Sequence, residues 1–389
     1  MDATYLQLIV PHHNLLYKLV LAGCLGLVLL MFIMRNLKIA PQSLILLGAA
    51  GYVLLATLRG GGSLNAAFRM IFAPAVLCLT LTLTKDRQEF HRVMEIWCIG
   101  LFALMCVDML TMLAFPRGLY RTAEYTTNWF LGYKTVRLEY TLPLLAMRFF
   151  LDLEKVGSIT KKTWAVAVLV TVDILRALAT GGTVMVLLYI AMIVTVAAGY
   201  KQTQKKTKRS LLVMLTRFPI FLGSYIALFL IVVIMPTTSF IQHLLVDYLH
   251  KSADFSGRVP IWIRTMKAVK EQLFFGHGFL LAQDYAKITR GFYNPHNTVF
   301  VYWLVGGLTG MVLLAWFMYY TVRSAETNRA NLVFVFYLYV VLWLGLISAV
   351  MAFSPFLLAL IYAPVCYNTK REELSAGTLR KWIMQLFAG

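Results

Sequence analysis

Residues 294–320 read NPHNTVFVYWLVGGLTGMVLLAWFMYY, and the fold turns on how this stretch is read. From Val299 to Tyr320 the run is apolar and long enough to cross the hydrocarbon core of a bilayer, which takes about 20 residues. A polar tetrad, Asn294-Pro295-His296-Asn297, stands in front of it. An imidazole and an amide therefore sit where a loop enters a membrane helix. The helix N-terminus offers unpaired N–H groups and a partial positive charge, both suited to an anion. An imidazole with an ordinary pKa of about 6.5 takes a proton from a hydroxyl near neutrality. Gly307 and Gly310 lie inside the run and allow close helix approach or a kink.

Composition extends this reading to the whole chain. Apolar residues make up 60% and charged residues only 14%, where a soluble domain carries roughly 25%; mean hydropathy is +0.73. We expect an all-α polytopic membrane protein with about 11 transmembrane helices, at 15–34, 40–58, 66–84, 93–115, 134–153, 163–178, 182–200, 213–235, 298–322, 332–351 and 353–367. The last pair is expected to break near Phe353-Ser354-Pro355. The first run lacks a small-residue cleavage site, so no cleaved signal peptide is expected. All five cysteines (Cys24, Cys78, Cys98, Cys106 and Cys366) fall in these spans, where a thiol behaves as a small hydrophobe, and no disulfide is expected. The net charge of +19 fits inner loops and anionic headgroups, so nucleic acid is not expected as a partner.

The basic cluster Lys201, Lys205, Lys206, Lys208 and Arg209 sets the orientation, because such clusters stay in the cytoplasm. Counting outward puts the N-terminus outside, together with 116–133 and 237–296. The chain then divides into N-terminal membrane helices (1–236), an extracytoplasmic loop (237–297), C-terminal membrane helices (298–367) and a cytoplasmic tail (368–389). Within the large loop, Val259–Phe274 reads as an amphipathic helix: Ile261, Trp262, Met266 and Val269 lie on one side, Arg264, Lys267 and Lys270 on the other. It is expected to lie on the outer membrane face. In the tail, Leu379, Trp382, Ile383, Leu386 and Phe387 stand at helical spacing, as in an interfacial anchor. Gly60-Gly61-Gly62 lacks the features of a phosphate loop and reads as a turn.

His296 is the candidate general base and Asn297 a substrate contact beside it. Arg258, at the start of the amphipathic helix in Ser256-Gly257-Arg258, is the second candidate, since a guanidinium fork binds phosphate oxygens in pairs. Arg264 and Arg290 add positive charge to the same loop. Ionisable residues in or beside spans are costly and therefore informative. Arg69 opens a span at the outer face, and Lys134 and Arg137 stand at the outer end of another; all three are candidates to face a lipid pyrophosphate. Arg176 lies three residues from Asp173, a spacing that suits an ion pair. No acidic pair or His/Cys spacing suggests a metal, so a metal-independent reaction without a cofactor is expected.

Several of these pieces resemble the bacterial O-antigen ligase and polymerase superfamily, polytopic glycosyltransferases of the GT-C type. They are Ser256-Gly257-Arg258 with Trp262, Gly276-His277-Gly278, Pro295-His296-Asn297, and Gly307 with Gly310. The segment from Asn128 through Trp129, Phe130, Leu131 and Gly132 to Lys134 is most like Wzy-type capsular and exopolysaccharide repeat-unit polymerases. The resemblance implies a GT-C-like fold in the bacterial cytoplasmic membrane with the active site outside. It implies transfer of undecaprenyl-pyrophosphate-linked glycan, with His296 matching the essential histidine and Arg258 the arginine of the large outer loop. By their positions and charge, Arg69, Lys134, Arg137, Arg176, Arg264, Arg290 and Asn297 are expected to contact substrate; the expected partners are donor and acceptor glycans, membrane lipids, a chain-length regulator and a flippase. Two positions depart from the pattern: Thr135 stands where relatives carry Asn, and Thr180-Gly181-Gly182 where many carry Ser or Ser-Arg. A ligase acting on lipid A-core or a cell-wall acceptor is the alternative enzyme. A polysaccharide flippase is the non-enzymatic rival, but no internal repeat of the transporter kind is evident.

Overall fold

The computed structural model describes residues 4–35, 41–122, 125, 127–177, 179–200, 217–234, 257–349, 351–352 and 354–372. Helices begin where side chains satisfy the first unpaired N–H groups. Ser63 caps α4 (Leu64–Leu83), accepting from the Ala66 N–H at 3.2 Å. Asp86 caps α5 (Arg87–Ala114) through the Glu89 N–H at 2.8 Å, and Thr160 caps α7 (Lys161–Arg176) through the Thr163 N–H at 3.3 Å. Before these come α1 (Thr4–Ile9), α2 (His13–Met34) and α3 (Pro41–Arg59). α6 (Leu138–Lys155) and α8 (Thr180–Tyr200) complete the first part of the bundle. Then follow α9 (Phe218–Phe229), α10 (Arg258–Glu271), α11 (Ala282–Ile288), α12 (Thr298–Thr327), α13 (Leu332–Gly345) and α14 (Pro355–Glu372).

The protein is an all-α polytopic membrane protein, with a helix at each of the expected apolar spans. Five helices are long and apolar enough to cross a bilayer, and shorter apolar helices stand beside them. No strand occurs among the described residues, only isolated bridges at Tyr120–Asn128 and Trp129–Gly132. α6 is central. It packs against α5, α7, α8, α13 and α14 and is buried from Tyr140 to Met147 and from Phe149 to Leu153. Phe90, Phe149, Phe150, Phe334, Tyr189 and Tyr367 fill the space around it.

Among the described residues, helix ends gather in two layers. One layer gathers the α3–α4 turn, 115–137, 176–182, the His296 loop and the turn after α13. The opposite layer is an ionic network at the other end of the bundle. There Arg35 pairs with Glu89 at 3.5 Å, and Glu154 receives Arg87 at 3.4 Å and the Asn328 amide at 3.0 Å.

Several boundaries differ from expectation. The fifth span starts at Leu138 rather than 134, because 133–137 are turns and Arg137 is the N-cap residue. α13 stops at Gly345, ahead of the expected break. At that end α13 comes close to α12: a Cβ on Gly345 would lie 2.8 Å from Thr298 Oγ1. The basic cluster 201–209 and the expected tail helix at 379–387 lie outside the described residues.

The largest correction concerns α10. It does not lie flat on a surface but docks along the first half of α12. Trp262 packs on Phe300, and Ala268 and Val269 on Leu304. The chain after α10 then wedges into α12 at Gly307, which has non-helical φ 60° and ψ −165°. Breaking a helix orphans backbone groups on both sides, and here the wedge satisfies them. His277 and Gly278 donate to the Leu304 and Val305 carbonyls at 2.6 and 3.0 Å. Leu308 and Thr309 donate to the Leu273 and Phe274 carbonyls at 2.8 and 3.2 Å. Gly278 (φ 72°) leaves no room for a side chain, since its Cβ would fall 2.2 Å from Thr57 Cα. The wedge also meets the Gly60–Gly62 turn, where Ser63 donates to the Phe279 carbonyl at 2.7 Å.

Candidate active site

The loop that enters α12 is held at both ends. Asn294 Oδ1 accepts from the His296 N–H at 2.8 Å, a local turn that asparagine makes readily. Asn297 is fully buried and caps α12, accepting from Val299 and Phe300 at 2.9 and 3.2 Å while its amide donates to the Leu346 carbonyl at 2.9 Å. Between them, half-buried His296 adopts φ 49°, the left-handed region that side chains other than glycine enter at a cost of roughly 1–3 kcal/mol. The backbone at the imidazole is fixed by its neighbours.

Further contacts tie this loop to α10. The Trp262 indole donates to the Pro295 carbonyl at 3.1 Å, next door to His296. Arg264 donates to the Arg290 carbonyl, and its guanidinium lies 5.0 Å from the centre of the Phe292 ring. Thr289 Oγ1, bonded to the Tyr285 and Phe292 carbonyls, closes α11 onto the same loop. Arg258 is the first residue of α10, one helical turn before Trp262 and on the same face. It is half-buried, and that burial pushes its guanidinium below its ordinary value. A group starting from so high a value stays charged at neutral pH. Trp262 thus links the helix face that carries Arg258 to the turn that carries His296, at the mouth of α12.

Other expected site residues have different surroundings. Arg264 serves as a strut for the loop, and Arg290 is exposed with its carbonyl engaged by that strut. Asn297 has no exposed surface to offer a substrate. Arg137 is fully buried between two carboxylates: its Nε lies 3.1 Å from Asp108 Oδ2 and 3.3 Å from Asp173 Oδ2, and its Nη2 also bonds Asp108. Trp129 lies against it with the guanidinium carbon 5.1 Å from the ring centre. Asp173 thus pairs with Arg137 rather than with Arg176, which is exposed and donates to the Met112 carbonyl at 3.3 Å. Lys134 is half-buried with its ammonium 5.5 Å from the Tyr133 ring. Arg69 lies in the second turn of α4, but its side chain is outside the described residues, as is Ser256.

The segment from Asn128 to Gly132 folds around this ionic cluster. Leu131 N–H donates to Asp108 Oδ1 at 2.8 Å and the Trp129 indole to the Phe115 carbonyl at 2.9 Å. Sequence reasoning singled out Arg137 and Asp173 but did not join them. Two acids and one arginine within apolar helices were the available signal.

An apolar cavity of about 290 Å³ opens between α2, α3, α4, α12 and α14, with Phe32, Met70, Pro74, Gly306, Gly310 and Phe317 among its walls. It runs beside the break in α12. No group of three or more His, Cys, Asp or Glu side chains among the described residues is placed to hold a metal ion.

Residues 165–315 match the family model described as O-antigen ligase. No curated protein and no solved structure matches the chain.

Proposed function

We propose that the chain is a membrane glycosyltransferase that polymerises undecaprenyl-pyrophosphate-linked repeat units, a reading supported by the match of residues 165–315 to the O-antigen ligase family model. The product would be a capsular or exopolysaccharide or an O-antigen, made at the outer face of the bacterial cytoplasmic membrane. The observation that carries this reading is the His296 turn. A half-buried imidazole with a fixed backbone stands at the mouth of a membrane helix, one helical turn and one hydrogen bond from Arg258. The long apolar cavity beside α12 suits a prenyl chain and supports a substrate that arrives within the lipid.

In the proposed reaction His296 accepts the proton of an acceptor hydroxyl as that oxygen attacks the anomeric carbon of the donor. The new glycosidic C–O bond forms as the C–O bond to the pyrophosphate breaks, and configuration inverts. The departing pyrophosphate carries its own good leaving-group character, so the protein's work is positioning and charge compensation by Arg258. No step calls for a metal or a cofactor.

A ligase reading is favoured by the match to an O-antigen ligase family, and the acceptor separates the two. Purified protein incubated with lipid-linked repeat units alone should give a ladder of products. A ligase would yield product only when a lipid A-core or cell-wall acceptor is added, and a transporter would move the lipid-linked glycan across vesicles without lengthening it.

A further inference from the structure

We propose that the donor's prenyl chain lies in a second apolar cavity, one that opens beside the His296 loop, so that α12 stands between the tails of two lipid-linked substrates. The inference rests on the glycosyltransferase reading above and assigns a place to each lipid. It begins with how α9 meets the bundle. Ring contacts hold α9 near both ends: Phe218 lies 5.2 Å from Tyr319 and Phe221 4.6 Å from Tyr339, while Phe229 lies 6.0 Å from Phe300. Between these pins α9 stands off α12 and α13, leaving a cavity of about 200 Å³. Leu222, Tyr225 and Ile226 face it from α9, and Met311, Leu314 and Met318 from α12. Among the described residues no charged side chain lines it. Such a surface favours a hydrocarbon ligand, and methionine side chains adapt to a flexible one.

The end nearest the loop identifies the occupant. Thr298 and Val299, the two residues after Asn297, belong to the wall there. Phe229, another wall residue, joins the cluster of Trp262 and Phe300, and Trp262 carries the bond to Pro295. The cavity thus ends at the turn that carries His296 and the helix that carries Arg258. An apolar slot leading to a cation matches an apolar tail that ends in pyrophosphate.

The chemistry of the transfer then distinguishes donor from acceptor. The donor's anomeric carbon is bonded to the pyrophosphate, which is bonded to the prenyl chain, so its tail starts one pyrophosphate away from the reacting atom. The acceptor's hydroxyl is separated from its own lipid by the sugars of a repeat unit. The cavity that touches the first turn of α12 therefore suits the donor. The larger cavity, of about 290 Å³, meets α12 only from Tyr302 onward. That is about 6 Å further along the axis than Thr298, and it suits the acceptor. Tyr302 and Leu314 line both cavities and form the ridge between them. The Tyr302 hydroxyl donates to the Ala352 carbonyl, which holds that ridge in place.

The test uses the full-length protein in phospholipid vesicles with two probes, each carrying a diazirine on its prenyl chain. A lipid-linked unit with its acceptor hydroxyl methylated serves only as donor; one with a non-cleavable carbon link at the anomeric position serves only as acceptor. Donor cross-links are expected on α9 and around Met311, Ala315 and Met318, and acceptor cross-links on α3 and α4 around Ala50 and Met70. Ala315→Trp, which fills the smaller cavity, should raise the donor KM about tenfold, the effect of excluding about two methylene groups, with the KM of a soluble oligosaccharide acceptor as in wild type. Ala50→Trp, in the larger cavity, should raise the KM of the lipid-linked acceptor. Donor tails that mark α3 and α4 overturn the proposal, and so does a diazirine phospholipid that marks α9 equally, which would make the occupant bulk lipid. The wild-type cross-links decide the matter even where a tryptophan variant fails to fold. Folded wild-type protein that forms no product sinks the glycosyltransferase reading, and the donor and acceptor assignments with it; product formed while the donor tail maps elsewhere sinks only this placement.

Discussion

Arg137 and Arg258 occupy similar places in the chain: each stands at the start of a helix, in the same layer of helix ends, beside a tryptophan. Their surroundings differ completely. Arg137 is fully buried, held by Asp108 and Asp173 and covered by Trp129. Arg258 is half-buried at the first turn of α10, and the Trp262 on its face reaches across to the turn that carries His296. The first arginine is spent on assembling the 116–137 segment, whereas the second keeps surface that a substrate can reach. A place in this layer therefore does not by itself make an arginine a phosphate ligand, as the two carboxylates on Arg137 show.

That contrast can be broken experimentally. The largest effect is expected at the buried cluster. Arg137→Ala strands two carboxylates in the core, and breaking such a pair costs about 3–5 kcal/mol, so the detergent-solubilised variant should show a sharply lower thermal midpoint or fail to accumulate. A stable Arg137→Ala protein that has lost only substrate affinity would reverse the assignment. His296→Ala should do the opposite, keeping its thermal midpoint while product ladders slow by roughly 10²–10⁴-fold, as removal of a general base does; near-normal chain growth would rule out that role. Arg258→Lys keeps the charge and loses the fork, so turnover is expected to drop by about tenfold with folding intact, of the order of one charged hydrogen bond. The smallest effect belongs to the exposed Lys287–Asp284 pair, 3.1 Å apart: Lys287→Ala should change stability by less than about 1 kcal/mol and leave the ladder as it is.

Much of the fold was legible because burial in a membrane leaves a one-dimensional trace. Runs such as 15–34 and 299–320 announce helices, and basic loops predict which helix ends share a layer. The ends of α6 and α13 were harder. The turn at 133–137 and the stop at Gly345 depend on Arg137 and Thr298, contacts made across the bundle rather than along the chain. In the candidate site, His296 and Arg258 stood out as polar residues at helix starts. Asn297 did too, yet its hydrogen bonds show a buried cap. Periodicity identified α10 as amphipathic but could not say whether its apolar side meets lipid or α12, since both partners are equally apolar.

The break in α12 constrains how a substrate arrives. Gly307 lies nine residues into the helix, about 14 Å along its axis from Thr298. There the segment 273–278 and the two halves of α12 complete each other's main-chain bonding. Swinging that segment out like a lid would break four main-chain hydrogen bonds and leave eight backbone groups without their partners. The segment behaves as a fixed doorpost. On the proposed reading, a lipid-tethered sugar enters sideways between helices rather than under a moving lid.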